Sequence, residues 1–308
     1  MFLKKLINPP PAIIIFFIIF CAIMVLAPLF ENRTSYSLMN YIIITFGFLI
    51  TGFHALGLNN LVYEKNIIKK DNLIIGFTYI CLCAPFYSYL KEWVISFTLL
   101  FYINYLFNSY QKKHPFSEIF NSSLIISLLT FLNPNIIILL PLTVIAGINY
   151  ENLNWRSIVI MCFGLLIPYL FYFIYTVIVD VEFIIKNIFS FNLIDVNKIQ
   201  HLSNEKIIWA VIIFVITFFS FVEIYNWLYK KSIRSRKSFI ILLFYIIFIL
   251  VFTLFDQMKN IYYLITPLSI VIGNYFVHTK KRILADFLFL LLLISSFYYR
   301  FSYFHLNL

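Results

Sequence analysis

Long apolar runs separated by short polar segments recur along the whole chain. Most of these runs approach the roughly 20 apolar residues that a helix needs to cross a bilayer core, so they are predicted as membrane-spanning helices. The eleven runs cover residues 12–30, 39–61, 72–90, 93–108, 116–132, 136–148, 157–178, 207–228, 238–255, 261–276 and 283–298. They are continuously apolar and do not alternate with polar positions, which excludes a membrane β-barrel.

The composition supports this interpretation. Of the 308 residues, 62% are hydrophobic and 12% are charged, whereas a soluble domain has about 25% charged residues. The expected fold is therefore all-α, a polytopic transmembrane helix bundle of about eleven spans forming a single integral membrane domain over residues 1–308. The sequence contains no GxxxxGK[ST], GxGxxG or HExxH motif, and no cofactor or metal site is predicted.

The distribution of basic residues predicts the orientation of the chain. With the N-terminus in the cytoplasm, 16 of the 23 Lys and Arg residues fall in cytoplasmic segments, as the positive-inside rule requires. The C-terminus is then outside. The net charge of +10 is carried by loops, so it indicates membrane orientation and excludes nucleic acid as the partner.

The one long polar interruption is the segment 179–206. Val181, Ile184, Ile185 and Ile188 recur there at helical spacing, with charged residues on another side. This pattern predicts an amphipathic helix lying in the outer membrane interface. It would act either as a lid over a lipid-facing cavity or simply as a connector.

Two of the ionisable residues inside predicted spans, His54 and Glu223, are candidate functional residues. An ionisable group in a membrane is by default a candidate functional residue. His54 is either a proton relay or a neutral side chain hydrogen-bonded to a neighbouring helix. Glu223 must have a partner or face water, since burying it alone costs several kcal/mol.

The overall pattern resembles a known family. Its features are FLKKLINPPPAIIIFF at the N-terminus, LLFYINYLFNSYQKKHPFSEIFNSSLIISLLTFLNP, INYENLNWRSIVIMCFGLLIPYLFY and, near the end, DQMKNIYYLITPLSIVIGNYF. Together they resemble a family of uncharacterised polytopic inner-membrane proteins of Bacteroidota, a domain-of-unknown-function family of similar length. The resemblance implies an inner membrane and an envelope setting.

A second similarity concerns the last of these segments. Its Tyr-Tyr-Leu-Ile-x-Pro-Leu-Ser-Ile element, starting at Tyr262, looks like an element found late in polytopic glycosyltransferases that use polyprenyl-phosphate donors. Such an enzyme would need an outer-face carboxylate as general base or as ligand to a divalent cation. The candidate catalytic residues are Glu31, Asp256, Asp180 and Glu182. The alternative is that all four are ordinary solvated loop acids.

These observations together predict a multi-pass protein of the bacterial inner membrane that acts in cell-envelope biogenesis. Two specific activities remain open. One is a membrane glycosyltransferase-like enzyme acting on a lipid-linked substrate at the outer face. The other is a lipid or solute transporter, or a non-catalytic assembly partner. The expected partners are the lipid bilayer and, for the enzyme, the lipid-linked substrate.

Overall fold

The computed structural model describes residues 2–27, 38–86, 90–183, 204–255 and 261–305. These residues form an all-α protein without β-strands. They contain twelve α-helices: α1 (Phe2–Lys5), α2 (Pro11–Leu26), α3 (Leu38–Glu64), α4 (Ile74–Leu82), α5 (Leu90–Asn108), α6 (Phe116–Leu132), α7 (Leu140–Asn149), α8 (Trp155–Val179), α9 (Asn204–Leu228), α10 (Ile233–Phe255), α11 (Ile265–His278) and α12 (Arg282–His305). Short 3₁₀ segments cover Ala84–Phe86, Pro134–Leu139 and Ile261–Leu264.

Five of the described helices are long and apolar enough to cross a membrane, as expected of a membrane protein. They are Tyr41–Glu64, Trp155–Val179, Glu205–Asn226, Ile233–Thr253 and Arg282–Phe301. Three shorter apolar helices cover Pro11–Leu26, Phe116–Leu132 and Pro134–Asn149. The other six of the eleven spans predicted from the sequence therefore stay predictions.

Two of the predicted spans are short helices. The run 72–90 contains α4 with nine residues, and the run 261–276 contributes to α11 with fourteen. At 1.5 Å per residue they extend about 14 and 21 Å, less than the roughly 30 Å of a bilayer core. Apolar length in the sequence does not distinguish such buried helices from spanning ones, because both exclude water.

By chain contacts the protein consists of two units. Unit 1 comprises Met1–Val94, Asp195–Ser235 and Ile265–Leu308. Its core is made of α4, all nine residues of which are buried, and α11, with twelve of fourteen buried. Helices α3, α9 and α12 pack around this pair. The exposed faces of these outer helices are apolar, as a lipid-facing surface requires.

Unit 2 comprises Ile95–Ile194 and Arg236–Leu264, and its main helix pair is α6 with α8. Gly164 of α8 lies against α6 so closely that an added Cβ would stand 2.8 Å from the Phe120 carbonyl oxygen and 2.0 Å from Ser123 Oγ. Small residues permit this close approach of membrane helices. The Ser127 hydroxyl, also on α6, donates to the Leu165 carbonyl at 2.7 Å.

The predicted interfacial helix at 179–206 falls mostly outside the described residues. Helix α8 ends at Val179, and Asp180 caps it in the left-handed conformation at φ 57°. The next three residues, 181–183, are not helical. Helix α9 begins at Asn204, three residues before the start of the predicted span. The amphipathic character of 184–203 stays a prediction.

Candidate functional site

His54 is fully buried within unit 1 and hydrogen-bonds two other helices. Its Nδ1 lies 3.0 Å from the hydroxyl of Tyr79 on α4, and the two rings stack with centroids 4.2 Å apart. Its Nε2 lies 3.4 Å from the Thr266 hydroxyl on α11. Both ring nitrogens are therefore next to neutral hydroxyls, which is the environment of a hydrogen-bonded residue in the core.

Asn59, one and a half turns further along α3, extends the same polar arrangement. Its Oδ1 accepts a hydrogen bond from the Gly76 backbone at 3.0 Å, and its Nδ2 donates to the Ala55 carbonyl at 3.2 Å. A side chain at position 76 would collide with Asn59, because an added Cβ would stand 2.6 Å from Nδ2. The close approach of α4 to α3 therefore depends on this glycine.

Helix α4 is also hydrogen-bonded to α11. The Thr78 hydroxyl lies 2.7 Å from the Ile75 carbonyl and 3.2 Å from the Ser269 carbonyl. Polar contacts of this kind join helices in a membrane, where water does not compete for the donors. We call the buried polar side chains of α3, α4 and α11 the polar core: Thr51, His54, Asn59, Thr78, Tyr79, Thr266, Ser269 and Asn274.

Asn274 differs from the other amide of the polar core. It is 0% exposed, yet neither its amide nitrogen nor its amide oxygen has a hydrogen-bond partner among the described residues. The hydroxyl of Thr51, which is 1% exposed, is in the same situation. A buried polar group without a partner costs about 1–3 kcal/mol. Native structures contain few such groups, and each requires an explanation.

The acids predicted as catalytic candidates are not assembled into a site within the described residues. Glu31 and Asp256 lie outside these residues. Asp180 and Glu182 are exposed just beyond the end of α8 in unit 2. Glu223 is half-buried on α9 in unit 1, within electrostatic reach of Tyr275 on α11.

Metal-binding chemistry has no assembled ligand set in the described part of the chain. No three His, Cys, Asp or Glu side chains there come close enough to hold a metal ion. Of the four cysteines, Cys21, Cys81 and Cys83 are buried and Cys162 is exposed.

The polar core contains residues that the sequence-based search did not select. That search considered ionisable groups, and Tyr79, Thr266 and Asn274 are neutral at physiological pH. Arg300 was assigned to an outer segment beyond the last span, but the structure extends α12 past it. Its side chain is 7% exposed, and Nε donates to the Met24 carbonyl at 3.1 Å. Tyr79, Thr266 and Asn274 are polar residues inside long apolar runs, and this position is the signal in the sequence that could have revealed them.

The cavities of the two units are of different character. In unit 2, a cavity of about 350 Å³ lies between α6 and α8 and is lined almost entirely by apolar side chains, including Phe131 and Pro168. In unit 1, a larger opening of about 790 Å³ lies beside the first turns of α12 and is lined by three cations and three apolar residues.

Comparison of the chain with protein-family models, with curated proteins and with solved structures finds no match. The resemblance to the Bacteroidota family and the similarity to polyprenyl-phosphate glycosyltransferases both stay predictions. The candidate site therefore rests on the geometry of the polar core alone.

Proposed function

We propose that this protein is a multi-pass carrier of the bacterial inner membrane, serving cell-envelope biogenesis, and that the polar core contacts the polar part of its substrate. The inner membrane is what the family resemblance implies, and the orientation of the chain in it is supported by the segregation of Lys and Arg between alternate loops. The substrate is a polar solute or a lipid with a polar headgroup. The observation that carries the proposal is the unpartnered, fully buried amide of Asn274.

An amide is suited to this role because it offers both two donors and an acceptor. In the low-dielectric interior of a protein, a group of this kind gains strongly from any hydrogen bond that a substrate supplies. The Thr51 hydroxyl is a second buried polar group of these helices that has no hydrogen-bond partner among the described residues. His54 and Asn59 hold α3 and α4 in place through contacts that are already satisfied.

The carrier is favoured over the transferase by where the polar groups lie. A transferase acting on a lipid-linked donor needs a carboxylate at a substrate cleft. Among the described acids, Asp180 and Glu182 are exposed beyond a helix end, and neither lines the two cavities described above. The polar core contains no carboxylate, which suits binding and release rather than the transferase chemistry.

The test compares two asparagines of the polar core. Asn274→Leu removes an unpartnered amide, so we expect the protein to become equally or more stable to thermal unfolding in detergent, while complementation of a deletion strain is lost. The readout is the resistance of the complemented cells to detergent and to hydrophobic antibiotics, at matched protein levels.

Asn59→Leu is the matched control, since both ends of that amide are hydrogen-bonded. It should lower the thermal unfolding midpoint, and any loss of complementation should follow the loss of folded protein. Full complementation by Asn274→Leu would refute the proposal. A marked loss of stability in Asn274→Leu would assign that residue a structural role instead.

A further inference from the structure

Three connecting segments of unit 1 that carry basic residues are held together at one end of its helices. They are the loop between α3 and α4, the turn between α9 and α10, and the turn between α11 and α12. Four hydrogen bonds link the α3–α4 loop, the first turns of α10 and α12 and the N-terminal residues. They are Leu3 N to Asp286 Oδ1 at 3.0 Å, Leu73 N to Leu6 O at 3.0 Å, Asn8 N to Asp71 O at 2.9 Å, and Ser235 Oγ to Ile67 O at 2.9 Å. The positions of the charges on these segments are thus set by the fold.

Of the basic residues on these segments and at the start of α12, we call six the cationic patch: Lys69, Lys70, Lys231, Lys280, Lys281 and Arg282. Burial and the neighbouring charges of Lys70 and Lys69 lower the pKa of Lys231. The charges of Lys231, Lys70 and Arg282 also act on the His278 side chain. Cations on segments far apart in sequence are therefore close enough to repel one another.

Four lysines of the patch have no acidic side chain paired with them in the part of the chain that the structure describes. Lys69, Lys70, Lys280 and Lys281 make no ion pair within the described ranges. The Arg282 guanidinium donates to two backbone carbonyls, those of Phe276 and Val277, both at 3.4 Å. A group of positive charges that are not paired with nearby acidic side chains favours the binding of an anionic ligand.

An opening of about 790 Å³ adjoins the patch. It is lined by the cations Lys280, Lys281 and Arg282 and by the apolar side chains Ile283, Leu284 and Phe287. Ile283 is 82% exposed and Phe287 is 62% exposed. A ligand in this opening meets cations and apolar surface at once, so it is expected to be amphipathic.

The apolar surface continues as a stripe along α12. The exposed large residues follow one another at intervals of three or four, which places them on one side of the helix: Ile283, Phe287, Leu290, Ile294, Tyr298 and Phe301. From 283 to 294 the stripe extends about 17 Å at 1.5 Å per residue. This is slightly more than half of a bilayer core of about 30 Å, the depth of one leaflet.

We propose that the cationic patch and the exposed stripe of α12 together form a binding site for an anionic phospholipid, with the headgroup phosphate at Lys280–Arg282 and an acyl chain along Ile283–Ile294. Basic pockets beside membrane helices recognise anionic headgroups in this way. Free phosphate would leave the stripe unused, and a nucleic acid would leave both the stripe and the apolar wall unused. The site lies at the end of the helices, apart from Asn274, and does not depend on the proposed carrier function.

The test uses the full chain in a neutral detergent, with lipid binding measured by native mass spectrometry. We expect phosphatidylglycerol to bind at least tenfold more tightly than phosphatidylcholine with the same acyl chains. Lys280→Gln combined with Lys281→Gln should weaken phosphatidylglycerol binding more than tenfold, because each cation at an anionic surface contributes about a fivefold gain in affinity. Both lysines are exposed, so the variant is expected to fold.

The control is Lys113→Gln combined with Arg156→Gln, which removes two exposed cations predicted to lie on the same side of the membrane. It should weaken binding less than threefold. Equal losses in the two double variants, or equal binding of the two lipids, would overturn the proposal. Displacement of the lipid by millimolar inorganic phosphate would also overturn it, since the site would then serve free phosphate. Phe287→Ala should weaken lipid binding further, and unchanged binding would remove the stripe from the site.

Discussion

The hydroxyl of Tyr79 lies 3.0 Å from Nδ1 of His54, and the two rings stack with their centroids 4.2 Å apart. This pair joins α3 to the buried helix α4. Since a histidine in an apolar interior is costly unless its ring nitrogens are hydrogen-bonded, the tyrosine hydroxyl allows His54 to remain neutral and buried. The same pair lies in the polar core that contains Asn274.

The contribution of this pair can be measured with Tyr79→Phe, which keeps the ring and removes the hydroxyl. We expect a loss of about 1–3 kcal/mol in the free energy of unfolding, because Nδ1 of His54 loses a buried partner. Chemical unfolding in detergent measures the change. Tyr298→Phe, at a position that is 51% exposed, is the control and should be close to neutral. A similarly small effect at Tyr79 would mean that the stacking alone holds the pair.

Two glycines of α3 should respond oppositely to alanine. A Cβ at Gly47 would stand 1.7 Å from Cζ3 of Trp93, whereas a Cβ at Gly52 would meet nothing within 4 Å. Gly47→Ala should therefore destabilise the protein by about 1–3 kcal/mol through overpacking. Gly52→Ala should be neutral or stabilising by up to about 1 kcal/mol, since alanine favours the helix.

The double variant Gly47→Ala with Trp93→Leu tests the cause of the Gly47 effect. If the indole ring is the obstacle, the double variant should be less destabilised than the sum of the two single variants in thermal unfolding. Additive effects would show that Gly47 is required for another reason.

The ion pair between Glu151 and Lys237, with Nζ 2.6 Å from Oε1, should make stability depend on pH. The hydrogen bond and charge of Lys237 hold the pKa of Glu151 below its ordinary value of 4.5. A carboxylate whose pKa is lowered by folding stabilises the folded protein at pH values above its unfolded-state pKa. This stabilisation is lost as the pH falls through the pKa of the carboxylate in the folded protein. Near neutral pH the wild type should have a slightly higher thermal unfolding midpoint than Glu151→Gln, and the two midpoints should converge in acid.

Thermal unfolding midpoints across this pH range give the measurement. Lys237→Met is the control and should reproduce the pH profile of Glu151→Gln, with the double variant adding nothing further. The effect should be small, because the carboxylate is solvated and salt screens it. Different profiles for the two single variants would show that the carboxylate and the amine act with other partners.

The predicted orientation can be tested with reporter fusions. A fluorescent protein that matures only in the cytoplasm should be bright when fused after Lys113, and alkaline phosphatase should be active when fused after Leu308. Both results follow from an inside N-terminus and an odd number of spans. A cytoplasmic signal from the Leu308 fusion would contradict the eleven-span prediction.

The transferase alternative makes its own prediction. Because that activity requires an outer-face carboxylate, Glu31→Ala and Asp256→Ala should each abolish complementation if the protein is such an enzyme. The carrier proposal instead expects both variants to complement fully at normal protein levels, while Asn274→Leu fails. Loss of complementation in Glu31→Ala or Asp256→Ala, with normal protein levels, would favour the enzyme.

The hydrophobic pattern predicted the long helices well and the short ones less well. Helices α3, α8 and α9 were predicted to within three residues at each end, whereas α10 begins five residues earlier and α12 ends seven residues later than predicted. The run 72–90 was predicted as one span but contains the nine-residue α4 followed by a 3₁₀ turn. Hydropathy measures how strongly a segment avoids water, and a short helix enclosed by protein avoids it as strongly as one enclosed by lipid.

The candidate site was predicted in part. His54 was selected because it is ionisable inside an apolar run, but its partners Tyr79 and Thr266 lie 25 and 212 residues away. Such distances in sequence carry no local pattern. The predicted acids at helix ends were chosen by their chemistry, and Asp180 and Glu182 proved to be exposed residues beyond α8.

By itself, the sequence determined that this is an all-α chain with helices able to cross a membrane, because the cost of placing polar residues in lipid constrains composition directly. It also determined which loops carry the positive charge. The tertiary structure decided that α4 and α11 form a buried core and that Lys69, Lys231 and Arg282 belong to one patch. It likewise decided that Asn274 has no hydrogen-bond partner in the described structure. These features arise from contacts between segments far apart in the chain, which the packing of helices alone brings together.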